Sequence, residues 1–201
     1  MKKYVTGMLI SVVLLFVGVN AYAEGTSLAL KFGFFIPRAT SSTSGFSSGL
    51  NYEGAIGFRP HTNIGAEFSV GTFSSSSKTS STSTSTNHIT TITTSTLTTS
   101  AIPILATIKF ILPVAYEAFE LSLGGGLGYY LFTYSSSNES NTTSTSLSSN
   151  SSLGYHVVSA IEVPVTSGFL LGVEGRWTYI DGDFMSRWFG LTVNGMFKFL
   201  L

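Results

Sequence analysis

Apolar and polar residues alternate along almost the whole chain after its first two dozen residues. Eight segments carry the period of two that gives a β-strand one apolar face. They run over about 27–36, 50–59, 63–72, 101–112, 118–133, 153–163, 168–179 and 188–201. In the first, Leu28, Leu30, Phe32, Phe34 and Ile36 share a face; in the fourth, Ile102, Ile104, Ala106, Ile108, Phe110 and Leu112 do. A tilted strand needs roughly 9–11 residues to cross a bilayer, and these segments are of that length. The connections alternate as well. The gaps 37–49, 73–100, 134–152 and 180–187 are long, whereas 60–62, 113–117 and 164–167 are short and carry Pro60, Pro113 and Pro164. Short turns at one end and long loops at the other, with an even strand count, are features of transmembrane barrels.

The beginning of the chain reads differently. Lys2 and Lys3 precede an apolar run, Met8 to Val19, and then Ala21-Tyr22-Ala23. This is the plan of a secretory signal peptide over 1–23, cut before Glu24, which leaves a barrel domain over 24–201. As a helix the run would rise only about 18 Å, short of the roughly 30 Å of a hydrocarbon core.

Charge fixes the phase of the strands. The eight segments contain Lys31, Glu53, Arg59, Glu67, Lys109, Glu120, Glu162, Glu174, Arg176 and Lys198, and each falls on the face opposite the apolar residues. The charged face also holds Gly33, Gly57, Gly65, Gly124, Gly126, Gly128, Gly172 and Gly190. A face that is charge-balanced and small suits a narrow lumen better than the wet face of a sandwich. The expected fold is therefore all-β, an eight-stranded antiparallel up-and-down transmembrane β-barrel. With both termini in the periplasm, Lys31, Arg59, Lys109, Glu120, Glu162 and Lys198 are expected toward that end of the lumen. Glu53, Glu67, Glu174 and Arg176 are expected nearer the middle. The aromatics are expected in two interfacial belts. Phe58, Phe110, Phe119, Phe169, Phe197 and Phe199 form the periplasmic one, and Tyr52, Tyr129, Tyr155, Trp177 and Tyr179 the outer one.

Composition narrows the chemistry. Only 10% of the residues are charged and 43% are hydrophobic, against about 25% charged in soluble domains. Ten basic residues balance ten acidic ones, which argues against nucleic acid as a partner, and the absence of cysteine removes disulfides and thiolate metal sites. His61, His88 and His156 fall in a turn, a loop and a strand, and His156 and Ser159 have opposite parity and so do not share a face. Asp181-Gly182-Asp183 reads as a turn. No enzyme, metal or cofactor is expected.

The signal segment, the eight strands, the Gly-rich stretch Gly124-Gly125-Gly126-Leu127-Gly128-Tyr129-Tyr130 and the aromatic last strand resemble the small outer-membrane barrels of the OmpA-transmembrane-domain and OmpX type. The resemblance implies an integral, multi-pass protein in the outer membrane of a Gram-negative-type bacterium, in contact with lipid and lipopolysaccharide. It also implies insertion by the barrel-assembly machinery, for which Gly195, Phe197 and Phe199 match the terminal signal, although the last residue is Leu201. The expected function is a structural or surface-interaction role, with no specific surface ligand indicated. Its basis is a lumen filled by side chains and mobile Ser/Thr-rich outer loops over 74–100 and 135–152. The alternative is a narrow, OmpW-like channel for small hydrophobic solutes, through an upper lumen formed by Phe35, Leu105, Tyr130, Phe132, Val158, Leu170 and Trp188.

Overall fold

The computed structural model describes residues 25–39, 47–84, 90–114, 118–138, 141–181 and 188–201. The expected signal peptide, His88 and Asp183 lie outside the described residues. Eight antiparallel strands follow one another: β1 (Gly25–Ala39), β2 (Gly49–His61), β3 (Ile64–Thr84), β4 (Thr90–Val114), β5 (Phe119–Asn138), β6 (Asn141–Thr166), β7 (Phe169–Asp181) and β8 (Trp188–Leu200). Each pairs with the next, and β8 returns to β1, so the sheet closes into a barrel with its strands in chain order.

Closure explains how alternation can serve without a second layer. Inner positions such as Lys31, Phe35, Ala55, Ser69, Leu105 and Glu174 are buried. Their neighbours in sequence, such as Leu30, Phe34, Ile56, Val70, Ile104 and Val173, stand on the outside, where Leu127 reaches 70% exposure. A soluble protein does not leave so continuous an apolar belt in water.

Four strands are much longer than the alternation indicates. β3, β4, β5 and β6 span 21, 25, 20 and 26 residues. The tracts read as mobile loops are instead largely paired: Ser74–Thr84 with Thr90–Ser100, and Ser95–Asn138 contacts join β4 to β5. Serine and threonine offer no apolar face, so hydrophobic periodicity is weak there, carried in the first tract by Ile89, Ile92 and Leu97 alone, an alternation that already suggests a hairpin extending past the wall. A hairpin already nucleated in the barrel wall needs only backbone hydrogen bonds to continue, and threonine favours the extended chain. The three prolines are also displaced from the turns. Pro60, Pro113 and Pro164 lie inside the last residues of β2, β4 and β6. Ladder irregularities bracket the first and last of these, between Phe58 and His61 and between Pro164 and Thr166, where a missing N–H is tolerated.

Close packing inside the wall depends on glycine at one position in particular. A Cβ on Gly190 would fall on the Phe35 ring. Gly190→Val should therefore destabilise the barrel by about 1–3 kcal/mol, the usual range for overpacking. Urea unfolding of the refolded protein checks this, and wild-type stability would show that the Phe35 ring has room to move.

Candidate functional site

The described lumen is arranged in layers. At the end bearing the termini, Arg59 Nη1 lies 2.9 Å from Glu120 Oε1, and Lys198 Nζ lies 2.7 Å from Glu162 Oε2. Arg59 also donates from Nε to the Thr62 carbonyl at 3.0 Å. These pairs line a cavity of about 210 Å³, with Ser27, Ile111 and Leu170 among its walls. Leu170, expected in the upper lumen, belongs to this lower space.

Above it six charged side chains meet. Lys31 Nζ lies 2.5 Å from Glu67 Oε1, 2.8 Å from Glu174 Oε2 and 3.3 Å from Glu53 Oε1. Lys109 Nζ lies 2.8 Å from Glu67 Oε2 and 3.1 Å from Glu174 Oε2. Arg176 grips Glu53 with both terminal nitrogens, Nη1 at 2.7 Å and Nη2 at 2.8 Å, and Nη2 also reaches Glu174 Oε1 at 2.5 Å. Three cations thus face three carboxylates, and every carboxylate oxygen accepts at least one charged donor. Lys31 and Glu174 are completely shielded from solvent, at 0% exposure each. Burying ions is costly unless geometry and hydrogen bonding compensate, and this closed, neutral set supplies both.

The set spans the barrel. Its members come from β1, β2, β3, β4 and β7. β3 and β7 lie four strands apart in a ring of eight, on opposite walls, and Lys31 bridges Glu67 on one to Glu174 on the other. Two members stand elsewhere than their sequence position indicates: Lys31 and Lys109 belong to this middle layer, not to the terminal end. The Lys109 case has a visible cause. Its register partners are Gly65 on β3 and Gly124 on β5, and a Cβ at Gly124 would lie 3.1 Å from Lys109 Cγ. Gly124 leaves the lysine stem free to rise toward Glu67 and Glu174.

Polar residues that carry no formal charge complete the layer. Asn51 Nδ2 donates to Asn194 Oδ1 at 3.0 Å, and Thr107 Oγ1 and His156 Nε2 are 2.8 Å apart. Asn51, Thr107 and Asn194 share the inner parity of their strands, so parity alone could have singled them out. Higher still, Phe35, Phe73, Ala101, Leu105, Tyr130, Phe132 and Ile180 form a buried apolar cluster. The rings of Phe35 and Phe73 stack at 4.1 Å. A cavity of about 10 Å³ lies between this cluster and Arg176, at the lower limit for a single water. Val158 is buried in the wall, and the Trp188 side chain lies outside the described residues.

On the outer surface, Phe110, Phe169, Phe197 and Phe199 lie on the apolar belt near the terminal end, with Phe169 and Phe199 rings 5.1 Å apart. Phe119 opens β5 at the same end. Tyr155, Trp177 and Tyr179 gather toward the other end, Tyr155 and Tyr179 stacking at 4.8 Å, and Tyr129 pairs with Leu153 nearby. Two aromatics depart from a two-belt scheme. Phe58 has the parity of Tyr52 but is only 8% exposed against 45%, so it is covered by the wall and stands in no belt. Tyr52 meets Phe32 at 5.8 Å, and Phe32 meets Phe197 at 6.3 Å. Along β1, β2 and β8 the aromatics therefore form a continuous run, because strand tilt brings residues of different sequence depth side by side.

No protein-family model matches this sequence, and no curated protein does. Solved structures are similar in fold. The Neisserial surface protein A, NspA, superposes with a TM-score of 0.60 at 12% identity, over 88% of this chain and 97% of that one. The outer membrane protein OprG from Pseudomonas aeruginosa gives 0.57 at 11% identity, over 90% and 97%. At such identities the likeness concerns architecture. This chain has the closed, eight-stranded antiparallel fold of the small outer-membrane β-barrels.

Proposed function

We propose that the protein is an integral outer-membrane barrel whose lumen is closed by its own side chains and whose role is structural or surface-directed rather than conductive. One observation carries this reading: a neutral network of six ions joins opposite walls at mid-lumen. A fixed solute path would have to cross it, and then pass the buried apolar cluster of Phe35, Phe73, Leu105, Tyr130 and Phe132 above it. Eight strands enclose an interior that side chains can fill completely.

The surroundings follow from the outer face. Its apolar belt requires lipid hydrocarbon as solvent, with lipopolysaccharide as the neighbour at the outward edge. The segment 1–23 supports export, and the aromatic end of β8 supports recognition by the barrel-assembly machinery. Beyond the belt, the Ser/Thr-rich ends of β3–β6 are the surface offered to the exterior. Planar-bilayer recording of the refolded chain 24–201 tests the proposal. The expected trace is free of steady openings; reproducible unitary conductance would overturn it in favour of a narrow channel.

A further inference from the structure

The cavity of about 210 Å³ at the end bearing the termini is electrically divided. Its cations Lys198 and Arg59 stand on β8 and β2, the two strands that flank β1. Its carboxylates Glu120 and Glu162 stand on the neighbouring strands β5 and β6 and face each other in register. In a ring of eight, β5 lies opposite β1 and β6 opposite β2. One wall is therefore positive and the facing wall negative, and the ion pairs reach across between them. Ile111 on β4 and Leu170 on β7, both buried, fall on strands between the two charged arcs and line the same space. Lys109 and Glu67, paired at 2.8 Å, close it on the side of the mid-lumen network.

This layer is built differently from the network above it. There the carboxylates share several donors and little of any side chain is exposed. Here, among the described residues, each pair rests on one contact, 2.9 Å for Arg59 and Glu120 and 2.7 Å for Lys198 and Glu162. The side chains of Arg59 and Glu120 are 28% and 20% exposed. Partly exposed single pairs contribute little to stability, and two glutamates opposed in register repel each other. Such pairs give way to a ligand that offers both charges. Arg59 keeps its aim when Glu120 is drawn away, because its Nε and Nη2 both donate to the Thr62 carbonyl. Glycine keeps the space open. A Cβ on Gly57 would fall 2.4 Å from Ser27 Oγ, and one on Gly65 would fall 3.2 Å from Ile111 Cδ1.

We propose that this cavity binds a small zwitterion of the amino-acid kind. The carboxylate of the ligand meets Arg59 and Lys198, its ammonium meets Glu120 and Glu162, and an aliphatic side chain lies against Ile111 or Leu170. Charge selects this class over an ion of one sign. An anion alone would answer the positive wall and draw its cations from the glutamates, leaving carboxylates unpaired in a confined space, and a cation alone would do the reverse. The site is blind, since the mid-lumen network closes it above. It adds a binding function to a closed barrel, and the bilayer recording described above judges closure independently.

Amide NMR tests the site on the full chain, isotope-labelled in a Gram-negative host and purified in detergent micelles. The probes are L-leucine, leucinamide and isocaproate, which share a side chain; the second lacks the carboxylate and the third the ammonium. L-Leucine should shift the Gly57 and Gly65 amides saturably and leave Gly128, beside the Tyr130 ring, unmoved. Leucinamide and isocaproate should each bind at least about tenfold more weakly, the loss that follows when hydrogen bonds between charged groups are removed. Arg59→Gln and Glu120→Gln should each weaken leucine binding to a similar degree, with a dispersed amide spectrum showing that the barrel is folded. Isocaproate or leucinamide binding as tightly as leucine would make this a site for an ion of one sign and overturn the proposal. So would the lack of any saturable shift with leucine, or full leucine affinity in both folded variants. The three probes decide the matter on the natural chain even where a variant does not fold.

Discussion

Glu174→Gln is expected to lower the stability of the refolded barrel by about 3–5 kcal/mol, the range for removing one partner from a buried ion pair. Glu174 is fully shielded and touches all three cations of the mid-lumen network. The amide keeps the size of the carboxylate and removes its charge, leaving Lys31, Lys109 and Arg176 against Glu53 and Glu67. Little solvent reaches the site to screen that excess, since only Lys109 and Glu67 touch the lower cavity. A second substitution separates charge from shape. Lys109→Met removes the least tightly held cation and restores neutrality, so the double variant should be more stable than the sum of the single losses predicts. A coupling of about 0.5–3 kcal/mol is expected for residues in one network. Denaturant titration in lipid vesicles measures all four proteins, and strictly additive losses would show that the six side chains are not energetically coupled.

Leu123→Arg is expected to cost about 2–4 kcal/mol, the penalty for arginine on the lipid face near the bilayer midplane. Leu123 is 59% exposed on the outer surface. On β5 it lies between Phe119 at one aromatic edge and Tyr129 at the other, close to the middle of the apolar belt. Thr133→Arg on the same strand and the same face is the control. It lies beyond Tyr129, where the cost should fall to about 0–1 kcal/mol. Equal losses at 123 and 133 in a vesicle-folding assay would mean that the belt is not immersed in hydrocarbon. The two experiments address opposite faces of one wall. The first asks what the lumen is made of, the second what surrounds the barrel.

Much of this arrangement was legible in the sequence, for a physical reason. A closed single-layer sheet with apolar solvent outside and ions inside must alternate at every residue, and alternation is a local property. The ten charges of the expected segments keep the inner parity, seven of them buried, whereas Asp181 at the end of β7 is exposed on the outer parity, and the strand cores lie where the period of two puts them. Distance along the lumen was less legible. Lys31 and Lys109 join Glu53, Glu67, Glu174 and Arg176 because tilted strands and long side chains decouple the height of a charge from its place in a segment. Of the outer hairpins only the first was faintly legible, in the weak alternation of Ile89, Ile92 and Leu97, because serine and threonine tracts give a strand little hydrophobic signal to show.

The sequence by itself determined that the chain is an all-β barrel, how many strands it has, and which side of each faces inward. Those properties depend on the solvent met by each side chain, residue by residue. Only the tertiary structure decided which charges meet, that they join β3 to β7 across the lumen, and that the β3–β6 pairings continue past the wall. These depend on register, tilt and closure, which bring together residues as far apart as Lys31 and Glu174. No local pattern of polarity encodes which strand will stand opposite which.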